Sequence, residues 1–149
     1  MSEQGHTPRP LFAIYGASGC GRGVLPVADR MLRDQYGQGE YQLVFIDDSL
    51  AGQTLNGRRV LSYREFGRLK APSRALCIAI SDSRIRRRLA ERCTMDGVPV
   101  FSVMSSSACI LDDVQMGEGA FLAPFVTLTS NIRIGRHFHA NLYSYVEHD

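Results

Sequence analysis

No stretch of this sequence is apolar for long enough to cross a bilayer, and Met1 to Pro10 is polar, with neither the apolar segment nor the cleavage signal of a secretory leader. The expectation is a cytoplasmic protein. Cysteine is sparse and badly spaced for metal. Cys20, Cys77, Cys93 and Cys109 form no C-x-x-C pair and have no closely spaced histidines to complete a zinc site, so reduced thiols and no metal are expected. Charge of one sign is scarce as well: 17 Lys and Arg against 15 Asp and Glu leave +2, a sum that gives no field to recruit nucleic acid or a membrane. Missing too is the G-x-G-x-x-G of a dinucleotide-binding turn.

What is present divides at about residue 104. Leu11 to Tyr15 is a short apolar run that ends in Gly16-Ala-Ser-Gly19-Cys-Gly21 and leads into an amphipathic stretch, Val24 to Gln35. Leu43 to Ile46 ends in Asp47-Asp48, Ala75 to Ile80 ends in Ser81-Asp82 ahead of a helical stretch from Ser83 to Met95, and Val98 to Met104 follows Gly97. Continuous apolar strands alternating with helical patterns predict a Rossmann-like α/β domain over 1–104, its parallel sheet covered on both faces. In such a sheet a ligand sits beyond the carboxyl ends of the strands. Glycines at 16, 19 and 21 let backbone approach a phosphate, with Arg22 beside them, while Asp47 and Asp48 suit ribose hydroxyls or a base edge. The same glycine turn also reads as tight-turn structure alone. Arg84-Ile-Arg-Arg-Arg88 reads mainly as a solvated helix face, with Arg84 and Arg86 nearest the crevice. Asn56-Gly57 marks a turn, and Ser62 with Glu65 marks a capped helix start.

From Ile110 onward the period becomes six: Ile110, Met116, Leu122, Leu128, Ile134, Ala140 and Val146 are all apolar. With 44% apolar residues that run has a chance probability of roughly 0.3% in one fixed register. Two residues earlier runs a smaller or β-branched series, Ala108, Val114, Ala120, Val126, Ile132, Phe138 and Ser144, in which the Phe138/Ala140 pair inverts the small-then-large order. Three hexads make 18 residues one turn of a triangular solenoid. The expectation over 105–149 is therefore the first coils of a left-handed parallel β-helix, with short antiparallel strands of an α+β domain as the competing arrangement. His137 and His139, two apart on an expected strand, share a face there and are assigned to surface or subunit contacts.

Tyr15-Gly-Ala-Ser-Gly-Cys-Gly21, Phe45-Ile-Asp-Asp48, Ala79-Ile-Ser-Asp-Ser-Arg84, the hexads and Val146-Glu-His-Asp149, in that order, resemble the sialic-acid O-acetyltransferase type of hexapeptide acyltransferases, whose relatives include bacterial UDP-amino-sugar N-acetyltransferases. The resemblance implies acetyl transfer from acetyl-CoA to a UDP-linked amino sugar in surface-glycan synthesis, by a homotrimer when full length. Gly16, Ser18, Gly19 and Cys20 would lie near the diphosphate and sugar, Asp47 and Asp48 near the uridine, with Ser81 beside them. His148 matches the general base and Asp149 the acid that raises its basicity, as imidazole chemistry near neutral pH suits. Cys20 and Ser81 depart from the histidine and glycine common in relatives, so the sugar pocket differs. Sugar O-acetylation and a non-catalytic, NAD-binding Rossmann module are the alternatives. By the same resemblance most of the acetyl-CoA groove belongs to later coils, so the chain is expected to be C-terminally truncated, and to hold a nucleotide sugar without acetylating it.

Overall fold

In the computed structural model, which describes residues 8–148, the apolar runs become a five-stranded sheet. Its strands are β1 (Leu11–Tyr15), β2 (Gln42–Ile46), β3 (Thr54–Leu55), β4 (Arg58–Leu61) and β5 (Arg74–Ile78), in the order β3-β4-β2-β1-β5. β4, β2, β1 and β5 run parallel, with Ala13 level with both Val44 and Leu76. β3 and β4 form an antiparallel hairpin turned at Asn56 and Gly57, whose φ values of 48° and 72° a two-residue hairpin of this hand requires. Three helices complete the unit: α1 (Gly19–Tyr36), α2 (Tyr63–Arg68) and α3 (Ser83–Met95). α2 opens on the capping box expected of Ser62 and Glu65. α1 begins five residues before the expected Val24, because the glycine turn runs directly into the helix from its N-cap, Ser18.

Both sheet faces are apolar, and alternation along β1 divides them. Leu11, Ala13 and Tyr15 join Val44, Ile46, Leu76 and Ile78 under Tyr63 and Phe66 of α2 and Cys93 of α3. Phe12 and Ile14 join Leu43, Phe45 and Cys77 under Val24, Leu25, Ala28 and Leu32 of α1, and the same core continues into Val103, Leu122, Val126, Leu128 and Ala140. One helix covers part of that face, and the C-terminal unit covers the rest.

The strand expected over Val98 to Met104 does not join the sheet. Leu76 and Val100 share a single bridge beside Pro99, which has no N–H to extend a ladder. The chain turns away instead, and Val103–Met104 (β6) pairs with a later strand. The strands that follow are β7 (Cys109–Met116), β8 (Phe121–Leu122), β9 (Thr127–Ile134), β10 (His139–Ala140) and β11 (Tyr145–Val146), and β6 pairs with β8. They form two three-stranded parallel sheets, β10-β8-β6 and β11-β9-β7. Every partner lies 18 residues along the chain: Val103 pairs with Phe121 and Phe121 with His139, while Cys109 pairs with Thr127 and Thr127 with Tyr145. Positive φ recurs at Asp113, Gly119, Phe125, Asn131, His137 and Tyr143, every sixth residue, and bends the chain at each. Five of the six carry a Cβ and so adopt a conformation that costs about 1–2 kcal/mol each. The continuous ladder and the apolar interior hold them there.

The two hexad series do point inward: Ala120, Leu122, Val126, Leu128, Ile132 and Ala140 are all buried. Ile110 is 43% exposed because β7 is an edge strand with a neighbour on one side alone. Gly117 is required by close packing in the stack, since a Cβ there would sit 2.7 Å from the Arg136 backbone nitrogen.

The glycine turn gives a paired test. A Cβ on Gly21 would fall 1.7 Å from the Gly16 carbonyl oxygen, whereas one on Gly23, further along the same helix, meets nothing within 4 Å. Gly21→Ala is expected to destabilise by about 3 kcal/mol or more, and Gly23→Ala to stabilise by about 0.5–1 kcal/mol. Urea midpoints of the two variants check both signs.

Candidate functional site

β1 ends at Tyr15, and the chain reverses at Gly16 with φ of +114° while its N–H donates to the Ile46 carbonyl at 2.8 Å. A Cβ at Gly16 would lie 2.7 Å from the Ala79 carbonyl oxygen, so Gly16 and Gly21 are both required by packing. Gly19 is different, with open space where its side chain would be. Ser18 is exposed and makes no capping bond, and the first turn of α1 carries no acid. The helix therefore presents N–H groups and the positive end of its dipole, which favour an anion such as a phosphate. Cys20 is half-buried in the same turn, and burial pushes its thiol above the ordinary value against the pull of Arg86. It stays protonated at neutral pH.

The two expected acids have different partners. Asp47 ties the end of β2 to the glycine turn: Oδ2 accepts from the Ala17 N–H at 3.3 Å and Oδ1 from the Ser49 N–H at 3.0 Å. Asp48 points to α2 instead, accepting from the Tyr63 N–H at 2.8 Å, with its other oxygen 3.9 Å from Arg92. The Arg92 guanidinium lies 4.0 Å over the Tyr63 ring, which stacks on Tyr15 at 5.4 Å. Burial raises the Tyr63 hydroxyl well above its usual range, with Cys93 next in effect, so it is fixed as a donor to Asp96. Ser81 is exposed at the end of β5, and the cap of α3 is its neighbour Asp82, which accepts from the Arg84 and Ile85 N–H groups. Gly16, Ser18, Gly19, Cys20 and Asp47 thus form one connected cluster, while Asp48 and Ser81 border it through α2 and α3. His148 lies after β11 on the other unit and is exposed, and Asp149 falls outside the described residues.

The junction of the two units holds residues that the sequence pattern placed elsewhere. Arg86 does not face the crevice as a free charge: its guanidinium donates to the Ile80, Ser81 and His137 carbonyls at 2.7, 3.1 and 3.0 Å, clamping α3 to the strand stack. His137 and His139 share no strand face, because His137 occupies a left-handed turn at φ 58°. Neither is a surface group. His137 is 9% exposed, and neither ring nitrogen has a hydrogen-bond partner among the described residues. His139 Nε2 lies 2.9 Å from the Ile78 carbonyl, which can only accept, so Nε2 carries the proton and Nδ1 is left as an acceptor. Its ring meets Phe121 edge-on at 5.9 Å. Burial, with help from Arg86, pushes the His139 pKa down to about 4. The inverted Phe138/Ala140 hexad was the sequence signal for this junction. Nearby, a cleft of about 410 Å³ runs between α1 and the stack, lined by Cys20, Gly23, Val27, Phe121, Asn141 and Leu142. Among the described residues no three His, Cys, Asp or Glu side chains converge as a metal site would need.

Residues 12–93 match the family described as the PglD N-terminal domain. The chain is 40% identical over 141 residues to the GDP-perosamine N-acetyltransferase of Escherichia coli O157:H7, an alignment covering 93% of this chain and 62% of that protein. It is 47% identical to WeeI from Acinetobacter baumannii AYE, with a TM-score of 0.86 over 94% of this chain and 65% of that one. It also superposes on the acetyltransferase domain of PglB from Neisseria gonorrhoeae FA1090, solved with acetyl coenzyme A, at a TM-score of 0.80 over 96% of this chain and 66% of that one. The identity there is 23%, so that likeness is one of fold. The chain spans less than two thirds of the length of each of these relatives.

The half-buried imidazole of His139 predicts a pH dependence. The unfolded chain protonates His139 near the ordinary 6.5 and the folded protein near 4. Between those values the unfolded state binds more protons, so acidification lowers stability across that window and this group costs nothing further below it. His137, depressed mainly by burial and then by Arg136, acts in the same direction. His139→Gln, which still donates to the Ile78 carbonyl, is expected to flatten part of the slope in urea midpoints taken across the window. An unchanged slope would show that His139 titrates normally.

Proposed function

Since the chain belongs to the PglD N-terminal domain family, we propose that it is the sugar-nucleotide-holding part of an enzyme that moves an acetyl group from acetyl-CoA to the amine of a nucleotide-linked sugar in surface-glycan synthesis. The observation that carries this is the 40% identity, along 93% of the chain, to a protein named for N-acetylation of GDP-perosamine. That name also changes one expectation. The sequence motifs led to a UDP-linked sugar, and GDP is now the better-supported nucleotide.

In this proposal residues 1–104 hold the nucleotide sugar in a Rossmann-like domain, and 105–149 open a left-handed parallel β-helix whose 18-residue ladder and six-residue turns support the reading. The diphosphate lies against the start of α1 at Ser18, Gly19 and Cys20, with Gly16 allowing the turn. Asp47 and Asp48 meet the nucleoside, and Ser81 borders the sugar. The sugar amine attacks the acetyl carbonyl, a C–N bond forms as the C–S bond breaks, and the proton lost by nitrogen must be taken up. His148 accepts it, oriented by Asp149, and the thiol of CoA leaves protonated. A homotrimer completes the acetyl-CoA groove between neighbouring copies.

Calorimetric titration with a GDP-linked amino sugar, a UDP-linked one and NAD tests the substrate class. GDP-sugar should bind most tightly, and preference for NAD would overturn the proposal. Asp47→Ala should weaken that binding by about 1–3 kcal/mol, the range for a lost hydrogen bond to a neutral group. In a form of the protein that turns over, His148→Ala should leave nucleotide affinity unchanged and lower kcat by roughly 10² to 10⁴. A loss under about tenfold would assign the proton to another group.

A further inference from the structure

The small net charge hides a division within the chain. Residues 59–95 contain ten of the seventeen Lys and Arg but three of the fifteen Asp and Glu, a local charge of +7, while the remaining residues sum to −5. This segment supplies α2 and α3, the two helices that cover one face of the sheet. Part of the charge is engaged inside the fold: Arg74 bonds the Phe66 and Leu69 carbonyls, Arg86 clamps the junction, Arg92 sits on Tyr63, and Arg87 pairs with Glu91. Arg59, Arg64, Arg68, Lys70, Arg84 and Arg88 are left. All six are exposed, and among the described residues no ion pair engages them. Arg64 and Arg68 are four apart on α2, and Arg84 and Arg88 are four apart on α3, so each helix carries its pair on one side. Beyond Arg88 the same stripe of α3 reaches Met95, which is 80% exposed, and Ile85 beside it is 44% exposed.

We propose that this face is a docking surface for an anionic lipid bilayer, which it meets peripherally. Charge complementarity identifies the partner as polyanionic, and the other residues of the face select among polyanions. Residues 59–95 contain no Asn, Gln or His to read base edges, and their two aromatic rings, Tyr63 and Phe66, are buried against the sheet. A nucleic-acid surface normally offers exposed rings or amides for bases. This one sets an exposed methionine and isoleucine among its arginines, and those apolar side chains suit a headgroup layer. Among the described residues no helix is long and apolar enough to cross a membrane. Asp48 and Asp96, counted with the remaining chain, also border α2 and α3, each 3.9 Å from Arg92, so the face keeps a net positive charge that turns it toward the bilayer. The expectation of no membrane partner came from the summed charge, which is blind to this separation.

The test is flotation of the 149-residue protein with phosphatidylcholine vesicles, with and without roughly one third phosphatidylglycerol. Binding should require the anionic lipid and be released when salt rises from about 0.1 M to about 1 M, where screening shortens to roughly 3 Å. The variant carrying Arg64→Glu, Arg68→Glu, Lys70→Glu and Arg88→Glu should bind at least about tenfold more weakly, while a second variant, Asp112→Lys with Glu118→Lys on the opposite unit, should not. Far-ultraviolet circular dichroism and the urea midpoint report whether each variant is folded. Absence of binding to anionic vesicles, or equal binding by the four-site variant, overturns the proposal. So does tighter binding to single-stranded or duplex nucleic acid than to vesicles at the same ionic strength.

Discussion

A parallel sheet with two apolar faces has to be covered twice, and the architecture of this chain follows from how that requirement is met. α2 and α3 seal one face. On the other, α1 leaves apolar surface that the strand stack covers, so Phe12, Ile14, Leu43 and Cys77 share a single core with Val103, Leu122, Leu128 and Ala140. The two units are therefore not beads on a string. Their relative position is set by hydrophobic burial and then locked by polar bonds at the edge, where Arg86 and His139 engage backbone carbonyls at the ends of the sheet. The cleft lined by Cys20 and Phe121 lies on that seam, between the glycine turn and the stack.

Much of this was written in the sequence, because local rules and tertiary needs agreed. The apolar runs, the glycine turn and the Ser62–Glu65 box each specify an element by their own chemistry, and the six-residue period survives in both inward series. Other features depended on packing that no local pattern reports. Val98 to Met104 is as apolar as the sheet strands, yet Pro99 limits its pairing and Val103 serves the other unit. Asp47 and Asp48 look equivalent in sequence, and only the fold shows that one holds the glycine turn and the other holds α2. His137 and His139 read as polar residues in a repeat, and their burial comes from the α/β unit pressed against them.

Polar groups around the carboxyl ends of the strands have in common that they act on backbone. Arg86 meets three carbonyls, Asp47 two N–H groups and His139 one carbonyl. Strand ends leave such groups unpaired, and a side chain that satisfies them removes the cost of burying them. The crevice at the carboxyl ends of the strands is consequently bordered by a rigid frame, with Ser18, Gly19 and the start of α1 as its least committed part.

The ladder step of 18 residues and the left-handed bend at every sixth residue also set the grammar by which this chain can change length. Adding or removing 18 residues returns each side chain to the edge and depth it held before, displaced by one layer. A change of six keeps the inward and outward alternation but moves every later residue one bend along the ladder. A change of one or two residues turns leucines outward and charges inward from that point on. Over evolutionary time such a unit would grow and shrink in whole layers, and its surface loops would appear at the bends, where an excursion leaves the register of the later strands untouched.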